Sequence, residues 1–232
     1  MTHLQRELEK LKRKILALGA LVEENLRLAV QAIETRDAAK ARKVIAADME
    51  VDEVEVEVEE ECLKLLALYQ PVARDLRFIV AVVKINSELE RIGDLAANVA
   101  ERAEQLADEY PVPVPPSLPV IADRTRYILE KVLDALVHQD AVAARKMLAA
   151  DDEVDALYKK LLEELKDELR ADFEHLDAIV LLFSVARYME RLADHATNIA
   201  EDVLYMVEGE IQRHLFPDTP AELLGLGDEG GG

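Results

Sequence analysis

An all-α fold of two tandem three-helix bundles is predicted by three features of this sequence. Half of the 232 residues are apolar, yet only 4% are aromatic and 8 are glycine, a balance that suits long Ala/Leu/Val helices rather than a sheet. The run YPVPVPPSLP at 110–119 contains five prolines, which remove backbone donors and fix φ, so no helix is expected to cross it. On either side the chain repeats itself. DAAKARKVIAADMEVD (37–52) aligns without a gap with DAVAARKMLAADDEVD (140–155), and after a three-residue shortening LERIGDLAANVAE (89–101) aligns with MERLADHATNIAE (189–201).

Apolar periodicity sets the first helix at about 3–34 and the second at about 38–68, with Asp37 in N-cap position. The stretch EVEVEVEEE alternates as a strand would, but Val51, Val54, Val58, Cys62 and Leu65 also keep helical spacing. The repeat decides for helix, because Val51, Val54, Val58 and Cys62 correspond to Val154, Leu157, Leu161 and Leu165, where no alternation exists. A third helix, about 72–108, is opened by PVARDLR, with Pro71 at its start and Asp75 in its first turn. Arg74 and Arg77 have no equivalents in the second half, so a partner contact and simple solvation are both open for them. Beyond the proline-rich linker come helices at about 120–138, 141–171 and 175–208, the middle one N-capped by Asp140. His138 and His175 fall at loop or helix-end positions rather than as catalytic bases. The two bundles thus occupy 1–109 and 120–214. The tail 215–232, rich in Pro, Gly and acids without periodicity, is expected to be disordered. Helices of about 30 residues are about 45 Å long and give flat sides suited to docking.

The formal net charge of -20 argues against nucleic acid and anionic membrane surfaces as partners and favours cations and basic protein surfaces. A single cysteine, Cys62, allows no intrachain disulfide and suits a reducing compartment. The charged N-terminus lacks the apolar core of a signal peptide, and the longest apolar stretch, AIVLLFSVA (178–186), is far short of the roughly 20 residues of a membrane span. The expected location is the cytoplasm.

On a helix, Glu90, Asp94 and Asn98 form one row of candidate metal ligands at i, i+4 and i+8, and Glu190, Asp194 and Asn198 form another, so each half offers an amide beside its carboxylates. The preceding helix of each half carries a further i, i+4 pair, Asp48 with Asp52 and Asp151 with Asp155. Other acids varied freely between the halves: Glu53, Glu55, Glu57 and Glu59 match Ala156, Tyr158, Lys160 and Leu162. Uncompensated carboxylates packed together raise one another's pKa and weaken the fold, a penalty that a bound cation removes. Oxygen-only ligands suit magnesium, manganese, calcium or ferric iron better than structural zinc, which normally recruits Cys and His. His195, whose counterpart is Leu95, is at most an accessory ligand in one half. The competing expectation is that these acids form exposed ion pairs with Arg91, Arg191, Arg42 and Arg145. Gly93, matched by Ala193, is costly inside a helix and points to close approach of another helix or a ligand.

ERIGDLAANVA and ERLADHATNIA, joined to PVARDLR and the doubled D..VD, resemble the PhoU family of phosphate-uptake regulators over about residues 3–214. The resemblance implies two three-helix bundles in tandem and multinuclear iron clusters on the acidic motifs. Those motifs correspond here to Asp48, Asp52, Glu90 and Asp94 in one half and to Asp151, Asp155, Glu190 and Asp194 in the other. Magnesium, manganese, calcium and zinc remain alternatives. It further implies a negative regulator that couples the ATPase subunit of a phosphate ABC transporter to a membrane-bound sensor histidine kinase, and a homodimer is open. No Walker loop, catalytic triad order or glycine-rich phosphate cradle is present, which favours a non-enzymatic role. The alternative is a carboxylate-bridged di-metal oxidase or hydrolase, although ferritin-like di-iron bundles use ExxH pairs and this chain has none.

Overall fold

A computed structural model describes residues 2–109, 112–171 and 173–209. Its helices are α1 (His3–Thr35), α2 (Ala38–Tyr69), α3 (Ala73–Glu109), α4 (Ser117–His138), α5 (Ala141–Ala149), α6 (Asp151–Ala171) and α7 (Leu176–Glu208). Local chemistry starts and stops them. Thr2 and Gln5 form a reciprocal capping box on α1, and the carboxylates of Asp37 and Asp140 each accept two backbone N–H groups at the starts of α2 and α5. Arg36, Gln70 and Gln139 end α1, α2 and α4 in the left-handed conformation, so each helix stops within one residue and the chain reverses.

Three boundaries depart from the sequence expectation. α4 begins at Ser117, inside the proline run, because Pro119 lies in a first turn whose N–H groups have no helical acceptor in any case. α3 begins at Ala73, so Pro71 precedes the helix. The expected helix 141–171 is broken at Ala150, where α6 starts with Asp151, Asp152 and Glu153 in its first turn. Three acids in succession suit the positive end of a helix. The equivalent Asp48, Met49 and Glu50 of α2 contain one acid fewer, and α2 runs through. The tail expected to be disordered lies outside the described residues.

α1, α2 and α3 pack as one bundle and α4, α5–α6 and α7 as the other. The halves join through α3 against α7 and α1 against α4, which leaves α2 and α6 outermost on opposite sides. The repeated apolar positions go to equivalent places: Val51 and Val154, Val58 and Leu161, and Cys62 and Leu165 are all fully buried. Val54 and Leu157 pack at the core edge, whereas Val56 is 50% exposed. A strand would have placed Val54, Val56 and Val58 on one face; the helix separates them. Burial pushes the Cys62 thiol up to about 12, which makes it inert.

Polar side chains fix the seam between the halves. Lys84 lies 2.9 Å from the buried Asp202 and over the Tyr205 ring, and His195 and Asn198 of α7 contact Glu88 of α3. The unrepeated arginines are used here as well: Arg74 donates to Gln139, and Arg77 donates to the Met206 carbonyl at 3.4 Å. Arg36 reaches the carbonyls of Leu106 and Val112 and so ties the linker to the first bundle.

Candidate metal centre

Helix α2 presents Asp48 and Asp52 one turn apart toward α3, which presents Glu90 and Asp94 in the same way. What allows these faces to meet is Gly93, since a Cβ there would lie 2.9 Å from Cγ1 of Val51. With no side chain in the way, ligand oxygens of Asp52, Glu90 and Asp94 all lie within 4.8 Å of one another. Burial, then the charges of Asp94, Asp52 and Glu101, raises the Asp48 carboxyl above its ordinary range. Oδ1 of Asp48 is buried and has no hydrogen-bond partner, a costly state for a carboxylate oxygen. Glu90 is also raised, first by burial and then by Asp94. A hard cation among Asp52, Glu90 and Asp94 would remove their mutual repulsion, so this donor set fits an oxygen-liganded metal, whereas Asp48 is not among the oxygens that gather there.

Ion pairing does not account for these acids. Arg42 pairs instead with Glu104 at 2.9 Å and Arg145 with Glu208 at 2.6 Å. Among the described residues no salt bridge reaches Asp48, Asp52, Glu90 or Asp94; in the second half Asp155 has Lys159 at 3.9 Å.

The second cluster is looser. Asp151 is raised to about 6 by burial first and then by Asp194, Asp155, Asp152 and Glu190, while Glu190 and Asp194 are raised by burial and by charges that include Asp155. These acids share one surface, but their ligand atoms do not gather within the distance reached by the first group. Ala193, itself buried, occupies the position that Gly93 holds in the first half.

The two asparagines in the acidic rows do different things. Asn98 donates to the Asp94 carbonyl at 2.8 Å, along its own helix, and Asn198 donates to Glu88 at 3.2 Å across the seam. His195 is likewise 2.7 Å from Glu88. Burial alone would raise Glu88, but hydrogen bonds from His195 and Asn198 outweigh it and hold the carboxyl below its usual range. Sequence reading missed Glu88 for a plain reason: its counterpart is Tyr188, so the repeat gives no signal there. Glu101, another charge acting on Asp48, is matched by Glu201 and was open to recognition.

A family model described as the PhoU domain matches residues 15–103 and again 118–203. The chain belongs to the PhoU family. It is 38% identical over 209 residues to the phosphate-specific transport system accessory protein PhoU homolog of Aquifex aeolicus, covering 90% of this chain and 95% of that one. To the corresponding accessory protein of Edwardsiella tarda it is 34% identical over 218 residues, with 94% and 90% covered. PhoU of Pseudomonas aeruginosa superposes with a TM-score of 0.85 at 36% identity, over 89% of this chain and 99% of that one. The phosphate transport system regulatory protein PhoU of Streptococcus pneumoniae gives 0.83 at 29% identity, over 90% and 99%. The Aquifex aeolicus and Edwardsiella tarda relatives are named as accessory proteins and the Streptococcus pneumoniae one as a regulatory protein, none of them as an enzyme. The doubled match fits the tandem bundles.

Two measurements probe the acidic surfaces without reference to function. Gly93→Ala is expected to lower stability by about 1–2 kcal/mol, because overpacking against Val51 outweighs the helix propensity gained. It should also weaken metal retention at the first cluster; unchanged denaturant midpoint and metal content would disprove the close-approach role. In metal-free protein, Asp151 has a folded pKa above its ordinary 3.8, so its favourable contribution is present below 3.8 and is lost as pH rises through about 6. At full strength that difference is worth about 3 kcal/mol, reduced to about 1 kcal/mol by solvent at this half-exposed site. Asp151→Asn should therefore be the more stable protein at pH 7.5 in chelator and no more stable at pH 3.5, as read by urea unfolding. The same midpoint at both pH values as the unmutated chain would refute it.

Proposed function

We propose that the chain is a cytoplasmic negative regulator of phosphate uptake and of the phosphate-starvation response. It works as an adaptor between the ATPase subunit of a phosphate ABC transporter and a membrane-bound sensor histidine kinase. The observation that carries this reading is family membership across both bundles, with relatives named as accessory to the phosphate-specific transport system. The long helical sides, the absence of catalytic motifs and the lack of a membrane-spanning helix among the described residues accord with a docking role. In this reading Asp48, Asp52, Glu90 and Asp94, and in the second half Asp151, Asp155, Glu190 and Asp194, hold metal ions, with multinuclear iron the leading assignment. The metal supplies positive charge between α2 and α3 and between α6 and α7. The carboxylates of each pair of helices are then drawn together instead of forced apart, and the docking surfaces are held in one arrangement.

The test is co-purification of the tagged chain from phosphate-rich and phosphate-starved cells, with identification of the bound proteins. Recovery of a transporter ATPase or a sensor kinase that changes with phosphate supports the adaptor. Recovery of neither in either condition overturns it. Elemental analysis of chain purified without chelator decides the metal assignment separately.

A further inference from the structure

The outer face of α2 carries a row that neither the core nor the acidic centre uses. Met49, Val56 and Leu63 follow one another at seven-residue intervals and are 70%, 50% and 58% exposed. Glu53 and Glu60 alternate with them, and Ala67 continues the line, so successive members are four and three residues apart and share one side of the helix. Among the described elements α2 packs on α1 and α3 alone, and this side of it is solvent-exposed along its length. No ion pair among the described residues engages Glu53 or Glu60.

The repeat supplies an internal control. The positions of Met49, Val56 and Leu63 are taken on α6 by Asp152, Lys159 and Lys166, and Lys166 pairs with Glu163 at 2.6 Å. Both helices are outermost members of equivalent bundles, yet one presents a solvated ion-paired surface and the other an apolar row punctuated by unpaired acids. The fold does not require apolar residues there.

We propose that this face of α2 is a docking site for a basic amphipathic helix of another protein, apolar at heptad spacing and carrying Lys or Arg opposite Glu53 and Glu60. A seven-residue apolar interval is the spacing by which one helix reads another lying alongside it. The charge selects the partner. A second copy of α2 would set Glu53 and Glu60 against the same acids, and an anionic lipid surface would be repelled, whereas a basic helix pairs with both. The assignment rests on the reading that the chain acts by docking and makes no use of metal.

The test uses the full chain and a synthetic helical peptide with Leu at heptad positions flanked by Lys, with its sequence-scrambled form as control, in fluorescence anisotropy. Val56→Lys combined with Leu63→Lys should weaken peptide binding by about tenfold or more, and Glu53→Lys with Glu60→Lys likewise. Glu163→Lys with Asp167→Lys on α6, which changes net charge as much as the Glu53 and Glu60 pair and more than the Val56 and Leu63 pair, should leave it unaltered. Circular dichroism checks that each variant stays folded. Equal loss in the α2 and α6 variants, or equal binding of the scrambled peptide, would overturn the proposal in favour of unspecific charge attraction. A chain that is dimeric by light scattering and becomes monomeric in Val56→Lys with Leu63→Lys would overturn it in favour of a second copy. In cells, unaltered phosphate uptake control in the α2 variants, with control lost on gene deletion, would sink this face and leave the adaptor standing. Unaltered control on deletion would sink the adaptor itself.

Discussion

Replacing Asp52 and Asp94 together by alanine is expected to shift stability in opposite directions depending on metal. In chelator the double variant should be more stable than the unmutated chain by a few tenths to about 1 kcal/mol, because Asp48 and Glu90 lose the repelling charges beside them. With metal at about 100 times its dissociation constant, the unmutated chain gains about 2.7 kcal/mol that the variant cannot gain. Thermal unfolding with and without metal, together with elemental analysis, reads both signs. A variant that responds to metal as strongly as the unmutated chain would end the case for Asp52 and Asp94 as ligands. The equivalent change at Asp155 and Asp194 should have the smaller effect, since the second set of oxygens does not gather as closely as the first.

The other large effect concerns the seam. Lys84→Met leaves Asp202, only 5% exposed, without the ammonium 2.9 Å away, and removes the cation from the face of the Tyr205 ring. Loss of one partner of a nearly buried ion pair should cost about 2–3 kcal/mol, or roughly 5–10 °C in Tm for a chain of this size. Asp202→Asn added to Lys84→Met should recover part of the loss, because the buried charge that has lost its ammonium goes with it. A Tm change under about 1 °C in the single variant would show that the pair does not hold the halves together.

Both predictions depend on relations between helices, which is where the sequence stops being legible. The helices themselves were readable: Asp37 and Asp140 cap as expected, and the repeat correctly turned an apparent strand at 53–61 into helix. The break at Ala150 was readable in principle from the succession Asp151, Asp152, Glu153, but the ungapped alignment with α2 concealed it. Spacing alone brought Asp48 and Asp52 into one set and Glu90 and Asp94 into another. It could not say that α2 and α3 bring Asp52 together with Glu90 and Asp94, or that the acids of α6 and α7 do not gather as closely. The same limit hid Glu88, and it left Arg74 and Arg77 open between partner and solvent when both reach the second half.

The sequence by itself determined that this protein is helical, that it is built twice, and which acids the two copies keep in common. These are properties of periodicity and of an internal comparison, and both are carried by neighbours along one chain. The tertiary structure alone decided that Asp52, Glu90 and Asp94 converge, that Asn198 serves the seam, and that Met49, Val56 and Leu63 face solvent. Those outcomes follow from interhelix distance and from which side of each helix is covered. Gly93 leaves room for Val51 where α2 meets α3, and among the described helices α2 is covered by α1 and α3 alone, so its outer side is left open.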